Sequence, residues 1–230
     1  MTKAIIPRHI GYIMDGNRRW AKSHGLPAYE GHLAGYNAMK EVLTASFDAG
    51  ITCVSVYAFS TENWQRQAEE VDKIMGLLVS AAKKDLPFLL DLKVRVRMVG
   101  RREGLSKKVT DAIDTIERET ARGTAGILAL CFNYGGQIEI VDAVKNIVQS
   151  GATPEEVTPE MIAEHLYEPD IPPCDIVVRT SGEQRLSGFM LWRAAYSEFL
   201  FVDTHWPDMK ASIVHDIINE YSLRQRRFGG

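Results

Sequence analysis

Residues Ile10–Trp20 read Ile-Gly-Tyr-Ile-Met-Asp-Gly-Asn-Arg-Arg-Trp. Their short apolar run predicts a buried strand, and Asp15 comes where that strand ends. Gly16 and Asn17 tolerate unusual backbone angles, and the two arginines that follow begin a helix. A carboxylate for a metal, next to arginines and free backbone N–H groups, suits a diphosphate. The alternative is an ordinary strand-to-helix turn with surface arginines.

Outward from this stretch, apolar runs bounded by turn residues alternate with helical patterns. We predict strands at Ile10–Met14, Cys53–Phe59, Val94–Val99, Ile127–Phe132, Ile176–Val178 and Phe199–Val202. This alternation is typical of an α/β fold with a central, mainly parallel six-stranded sheet flanked by helices. Because we find no repeat, low-complexity tract or linker, we predict a single domain over residues 1–230.

Helical periodicity predicts the elements between these strands. The first long helix should run from about Leu33 to Ala49, and a longer one from Glu69 to Leu92 should kink or break at Pro87. Further helices are predicted at Leu105–Ala121 and Gln137–Ser150, a capping box at Thr153–Glu156, and an irregular segment at Tyr167–Asp175. The apolar face of Glu69–Leu92 is interpreted as core, with the wall of a hydrophobic tunnel as the alternative.

Charge and cysteine content limit the classes of partner. Lys and Arg total 27 against 30 Asp and Glu, a net charge of −3, which argues against nucleic-acid binding through a general basic surface. The three cysteines have no paired spacing, so we expect reduced thiols and a cytoplasmic location. The N-terminus lacks the apolar region of a signal peptide, and no apolar run approaches the ~18 residues of a membrane span. Any membrane contact should therefore be peripheral.

Arginines collect just after the predicted strands. The loops that follow four of the strands carry Asp15-Gly-Asn-Arg-Arg19, Ser60-Thr-Glu-Asn-Trp-Gln-Arg66, Asn133-Tyr-Gly-Gly136 and Arg179-Thr-Ser-Gly-Glu-Gln-Arg-Leu-Ser-Gly188. In a parallel sheet these loops meet at one edge, where ligands bind. Five arginines at one edge of a mildly acidic protein predict a multiply charged anion as ligand, although any one of them alone could be a surface residue.

Other candidates are weaker. Ser60, Glu62 and Asn63 could position a substrate or pass a proton, or could simply cap a turn. His32, near the expected start of the first long helix, could meet a phosphate there or cap the helix. Glu198 could bind a hard cation, although a surface acid is the commoner explanation.

Taken together, these motifs resemble those of the cis-prenyltransferases, in particular the bacterial undecaprenyl diphosphate synthases. The match runs nearly end to end and rests on His9–Ala21, Gly31-His32, Tyr57–Trp64, Asn133–Gly136, Arg179–Glu183, Arg185–Ser187, Leu191-Trp192, Tyr196–Phe199, Trp206–Asp208 and Arg226–Gly230. The resemblance implies a homodimer with a hydrophobic tunnel that adds isopentenyl diphosphate to an allylic diphosphate with cis geometry. Farnesyl diphosphate is the expected primer, and undecaprenyl diphosphate for a cell-wall lipid carrier is the expected product. A shorter or longer prenyl product is the alternative.

The resemblance also implies residue roles. Asp15 would bind Mg²⁺ and assist departure of the allylic diphosphate, with a further metal contact from Glu198. The allylic diphosphate would lie against Gly16, Asn17, Arg18 and Arg19, with Trp20 and His32 nearby. Isopentenyl diphosphate would be held by Arg179, Arg185, Leu186 and Ser187. The site would be lined by Ser60, Thr61, Glu62, Trp64 and Arg66, with Asn63 as proton acceptor, and the C-terminal Arg227-Phe-Gly229 would reach the neighbouring subunit's site.

The sequence departs from the family pattern at Ala28, Gln67, Gln137 and Gly188. These changes affect expected affinity, loop mobility and product length more than reaction type. Two other functions remain as hypotheses. A hydrolase could use Asp15 as nucleophile, but Asn17 stands where its second acid should be. A non-catalytic partner subunit would be expected to lose the metal-binding acid and the arginines, and this chain keeps them.

Overall fold

A central sheet of six parallel strands forms within residues 5–224, the part of the chain that the computed structural model describes. The strands are β1 (His9–Ile13), β2 (Cys53–Ser60), β3 (Val94–Val99), β4 (Gly126–Tyr134), β5 (Ile176–Arg179) and β6 (Glu198–Phe201). All six predicted strands are confirmed, with ends shifted by no more than two residues. The mainly parallel sheet of the α/β prediction is entirely parallel.

The strand order β3-β4-β2-β1-β5-β6 gives the sheet a switch point. The chain leaves β1 toward β2 on one side, and it leaves β5 toward β6 on the other. The loops after β1 and β5 therefore diverge and leave a crevice at the carboxyl edge of the sheet, which is where ligands bind in this type of fold.

Eight α-helices cover the sheet in the described part of the chain. They are α1 (Asn17–Ser23), α2 (Ala28–Asp48), α3 (Ala68–Lys84), α4 (Leu86–Asp91), α5 (Lys107–Thr120), α6 (Gly136–Gln149), α7 (Pro159–Glu164) and α8 (Ala211–Leu223). None of the helices within residues 5–224 is long and apolar enough to cross a membrane. The capping box at Thr153 is confirmed, because its N–H donates to Glu156 at 2.7 Å.

One helix prediction needs correction, because the first long helix, α2, begins at Ala28, five residues before the predicted start. The predicted break in Glu69–Leu92 is confirmed, since the segment forms two helices that meet at Asp85, two residues before Pro87. Proline lacks an N–H and is tolerated only in the first turn of a helix, so a new helix begins just ahead of it.

The core occupies both faces of the sheet. Every residue of β1 is buried, and its side chains alternate, so that Ile10 and Tyr12 pack on the side of α2 and α8 while Ile13 packs on the opposite face. Two-sided burial explains why the strands are continuous apolar runs. All three cysteines are buried free thiols, as predicted.

Candidate active site

Asp15 and Arg179 meet in the crevice between the ends of β1 and β5. Ile13 and Arg179 are register partners, so a side chain two residues after Ile13 lies directly over the end of β5. Arg179 donates to Oδ2 of Asp15 at 2.8 Å, and the Gly16 N–H donates to Oδ1 at 2.7 Å. The guanidinium of Arg19 lies 3.3 Å from the same Oδ1. The predicted convergence of these residues is confirmed.

The surroundings keep the Asp15 carboxylate ionised. Partial burial favours the neutral acid, but the hydrogen bonds from Arg179 and from the Gly16 N–H, with the charges of Arg179 and Arg19, outweigh it and lower the pKa of Asp15 below its ordinary value. Asp15 is thus an anion that can accept a cation at neutral pH.

Arg179 anchors the loop that follows β5. It is buried, and its NH1 donates to Oγ of Ser187 at 2.9 Å and to the Arg185 carbonyl. Within the described residues, its Nε has no hydrogen-bond partner. A buried guanidinium with an unused donor next to a cleft can contribute to the binding of an anionic ligand.

The backbone between Asp15 and α1 requires glycine. Gly16 has φ +102°, and a Cβ there would lie 2.7 Å from Oγ of Ser181 and 2.8 Å from Nδ1 of His205. These two side chains are themselves 2.6 Å apart. Unlike Gly16, Asn17 is helical and begins α1.

Asn17 packs beneath α2. A Cβ on Gly31 would lie 2.0 Å from the Asn17 carbonyl, and one on Gly35 would lie 2.3 Å from its Oδ1. That amide oxygen is buried and has no partner among the described residues. The Gly31-His32 pair of the sequence therefore reflects, in part, this close contact between α1 and α2.

Glu183 joins the two arginine-bearing loops. Its carboxylate accepts from Arg19 at 3.0 Å and from Arg185 at 2.5 Å. The sequence alone does not reveal this role, because a lone glutamate in a polar loop carries no signal of its own.

Glu70 contacts three basic side chains on the other side of the cleft. Its Oε1 lies 3.1 Å from Nε2 of His32, 3.0 Å from Arg66 and 3.9 Å from Arg18. Burial, only partly offset by Glu70, lowers the pKa of His32, so its imidazole is neutral near pH 7. The i,i+4 spacing of Arg66 and Glu70 could have revealed this contact.

The expected placement of His32 was wrong. Because α2 begins at Ala28, His32 lies in the second turn and not at the helix N-terminus. It borders the cleft through its side chain and its contact with Glu70.

The segment after β2 forms a 3-10 turn at Thr61–Gln65. Asn63 caps it, since its Oδ1 accepts from the Ser60 N–H at 3.2 Å. Thr61 donates to Glu62 at 3.1 Å, and Trp64 donates to Asn133 at 2.7 Å while remaining 40% exposed. Asn63 and Arg66 border the apolar cavity described below, so the cap interpretation and a role in the site are compatible.

The remaining predicted residues lie at the margins. Trp20 donates to Asp208 at 2.8 Å and stacks on His24. Leu186 packs against the buried cluster on the far face of the sheet.

Glu198 is not near Asp15 within one chain. It is the register partner of Ile176, which pairs with Ile10 at the start of β1. Asp15 is five residues further along, which corresponds to about 16 Å. The Glu198 carboxylate pairs instead with Arg224 at 3.1 Å. A metal site that used both acids could not form in the fold of a single chain.

An apolar cavity of about 210 Å³ lies between α2, α3 and the sheet. Met14, Asn17, His32 and Arg66 border both this cavity and the cationic cleft. Apolar side chains line its interior, including Leu43, Leu77, Leu78, Leu89, Leu128 and Phe132. The cationic cleft and the apolar cavity are thus continuous.

The four positions at which the sequence departs from the family pattern lie at helix starts or in a loop. Ala28 is the first residue of α2 and borders the cleft without a cation. Gln67 is the residue that precedes α3, with no capping hydrogen bond from its side chain, and Gln137 lies in the first turn of α6. Gly188 has φ +78°, a conformation that asparagine also tolerates.

A doubly wound α/β domain with arginines at its switch point and an adjoining apolar cavity is suited to an anionic group carried on an apolar chain. Comparison with known proteins agrees. The family model described as putative undecaprenyl diphosphate synthase matches residues 13–229. The chain belongs to this family of isoprenyl transferases, which confirms the resemblance seen in its motifs.

Individual relatives support this assignment. The isoprenyl transferase of Agrobacterium fabrum is 44% identical over 99% of this chain and 94% of its own length. That of Thermotoga maritima is 43% identical over 98% and 97%, respectively. The structure of lavandulyl diphosphate synthase from Lavandula x intermedia, in complex with dimethylallyl diphosphate, matches with a TM-score of 0.92 at 30% identity, over 98% of this chain and 99% of that one.

Proposed function

We propose that this protein condenses isopentenyl diphosphate onto an allylic diphosphate, with cis geometry, to make a polyprenyl diphosphate. The observation that carries the proposal is the Asp15–Arg179 contact at the switch point, in a cationic cleft that opens into an apolar cavity. The cleft suits a diphosphate and the cavity suits the prenyl chain attached to it. Farnesyl diphosphate is the proposed primer and undecaprenyl diphosphate the proposed product.

The loop after β1 would bind the allylic diphosphate through Gly16, Asn17, Arg18 and Arg19, with His32 and Trp20 beside it. The loop after β5 would bind isopentenyl diphosphate through Arg179, Arg185, Leu186 and Ser187. Cleavage of the allylic C–O bond places negative charge on the leaving diphosphate, and fixed cations that bind this charge lower the barrier. The apolar cavity keeps water from the reactive carbon.

A proton must leave after each new C–C bond forms. We assign its acceptance to Asn63, whose amide borders the cavity and is held by the Ser60 N–H. Thr61, Glu62, Trp64 and Arg66 would shape this side of the site.

Asp15 is the proposed Mg²⁺ ligand. The residues described contain no group of three or more His, Cys, Asp or Glu side chains able to hold a metal. One ionised carboxylate nevertheless fits Mg²⁺, which commonly binds one or two carboxylates and completes its shell with substrate phosphates and water. When bound, the ion would neutralise charge on the departing diphosphate. A contribution from Glu198 would require a second chain, as in the homodimer that we propose.

The proposed location is the cytoplasm, where the three free thiols would stay reduced, with peripheral membrane contact for product release. The proposed tail contact of Arg227-Phe-Gly229 across a dimer lies outside the described residues.

The test is to mix the purified protein with farnesyl diphosphate, isopentenyl diphosphate and Mg²⁺. We expect diphosphate release, a longer cis-polyprenyl product and loss of both on chelation. The Asp15→Asn variant should retain the fold and lose ~10²–10³-fold in rate. A folded but inactive wild-type protein would instead favour the partner-subunit hypothesis, and a trapped aspartyl-phosphate would favour the hydrolase.

A further inference from the structure

Polar contacts join α2 and α3, the two helices that wall the apolar cavity, at two levels. At the mouth, His32 contacts Glu70 at 3.1 Å. Further in, Nζ of Lys40 on α2 donates to Oδ1 of Asp85, where α3 ends, at 2.7 Å. The mouth contact belongs to the cationic cleft, whereas the Lys40–Asp85 pair is far from it.

The Lys40–Asp85 pair lies at the deep end of the cavity. Both helices begin at the carboxyl edge of the sheet and run back toward the amino edge. The 17 residues of α3 span about 25 Å, so Asp85 is a full helix length from the cleft. Leu128, which also lines the cavity, is six residues before the end of β4, or about 20 Å below that edge.

Charges at this position need an explanation, because they line an otherwise apolar wall. Lys40 and Asp85 border the cavity together with Leu43, Phe88 and Leu89. The Asp85 side chain is 14% exposed and that of Lys40 is 33% exposed, so the pair reaches from the cavity to solvent. Buried charges are costly unless they are paired, so the contact between Lys40 and Asp85 is what allows two charged groups at this boundary.

The backbone at Asp85 is also the joint of this wall. Helix α3 ends at Lys84 and α4 begins at Leu86, and the helical donor that is missing at this joint is that of Pro87. The Asp85 N–H itself still donates to the Ala81 carbonyl at 2.9 Å. Separation of the ion pair would therefore part α2 from a natural break in the opposite wall.

We propose that Lys40 and Asp85 are specificity-determining residues that limit product length by closing the deep end of the cavity. The inference rests on the proposed function. A growing prenyl chain fills the cavity until its far end meets this closure, and each further unit requires the two side chains to part. Weakening the pair lets longer chains form.

The experiment compares product length among variants supplied with farnesyl diphosphate, radiolabelled isopentenyl diphosphate and Mg²⁺, without lipid or detergent. Asp85→Asn and Lys40→Gln each remove one charge, and both should shift the chromatographed, dephosphorylated products by at least one isoprene unit toward longer chains. Lys40→Arg keeps the charge and should leave product length as in the wild type. The matched control is Lys73→Gln. It removes an exposed ion pair on α3, in which Nζ of Lys73 lies 2.6 Å from Oε1 of Glu69, and neither residue lines the cavity.

The outcomes separate the two proposals. Unchanged or shorter products from both Asp85→Asn and Lys40→Gln, with normal turnover, would overturn the inference and leave the proposed function intact. An equal lengthening by Lys73→Gln would overturn it as well. If the wild-type protein forms no prenyl product at all, the proposed function fails and this inference fails with it.

Discussion

Two buried arginines, Arg179 and Arg193, are used in different ways. They are 4% and 5% exposed, and each forms an ion pair with a carboxylate. By residue type and burial they are equivalent. What separates them is how completely the protein itself satisfies their donors.

The donors of Arg193 are satisfied by acceptors within the protein. It donates to Glu139 at 2.6 Å and to the carbonyls of Ile171, Tyr167 and Glu168. The Glu139 side chain is fully buried and also accepts from Tyr134 at 2.6 Å. This network ties α6 to the irregular segment at Tyr167–Asp175, which the sequence predicted correctly.

Arg179 lies beside the cleft, which its partner Asp15 borders. Its partner, Asp15, is 29% exposed, and its Nε lacks a protein acceptor within the described chain. An arginine whose donors are all used by the protein stabilises the fold, whereas one that retains an unused donor at a cleft can serve a ligand. The number of guanidinium donors that the protein satisfies, more than burial, distinguishes the roles of Arg179 and Arg193.

The largest effect that we expect is on stability, from Arg193→Ala. Removal of this cation leaves Glu139 buried without its counter-charge, so the free energy of unfolding in urea should fall by about 3–5 kcal/mol. Arg118→Ala, which removes an exposed pair with Glu119, is the control and should change it by less than about 1 kcal/mol. Equal effects of the two changes would show that the closed network does not stabilise the fold.

The next effect is on catalysis, from Arg179→Gln. Loss of the fixed charge beside the diphosphate should lower kcat/KM by ~10²–10³-fold, or about 3–4 kcal/mol of transition-state stabilisation. The loss of unfolding free energy should be smaller than for Arg193→Ala, because Asp15 keeps access to water and to the Gly16 N–H. Steady-state kinetics and urea unfolding on the same preparations would check both. A wild-type kcat/KM in Arg179→Gln would show that Arg179 does not contribute to catalysis.

The smallest effect is a pH dependence on the Arg193 side, through His9. This imidazole is fully buried between Ser55 and the Pro172 carbonyl, and burial, with a smaller effect of the Arg193 charge, lowers its pKa to about 4 from the ordinary 6.5. Between these two pH values His9 is protonated in the unfolded chain but neutral in the folded protein. The free energy of unfolding therefore decreases as pH falls from about 6.5 toward 4. Between pH 7 and pH 5 this group should account for about 2 kcal/mol of unfolding free energy.

Comparison of His9→Gln with the wild type at both pH values isolates this contribution. The dependence should be weaker in His9→Gln and unchanged in His215→Gln, which alters an exposed histidine on α8. If the wild type and His9→Gln lose the same free energy on acidification, His9 does not carry the effect.

Much of the candidate site could be predicted because each of its main residues lies at the end of a predicted strand. Asp15 and Gly16 follow β1 directly, and Arg179 ends β5, so the parallel sheet alone brings them to one edge. Glu198 shows the limit of that reasoning. It begins β6 instead of following it, so the same parallel arrangement places it at the opposite edge.

Side-chain partners could not be predicted in this way. Lys40 and Asp85 are 45 residues apart, and no periodicity relates such positions. The partners of Glu70 come from α1, α2 and the segment before α3, so they meet only once those elements are packed.

Sequence alone predicts the six strands, their mainly parallel arrangement and the turn at Gly16, because apolar periodicity and glycine's freedom at positive φ act over a few neighbouring residues. The family follows from the motifs. The packing of distant segments determines that Arg193 uses its donors within the protein while Arg179 keeps one unused, that Glu198 lies away from Asp15, and that the Lys40–Asp85 ion pair lines the apolar cavity. Hydrogen bonds and charge pairs act over about 3 Å, so the residues that share them are known only when the packing of distant segments is known.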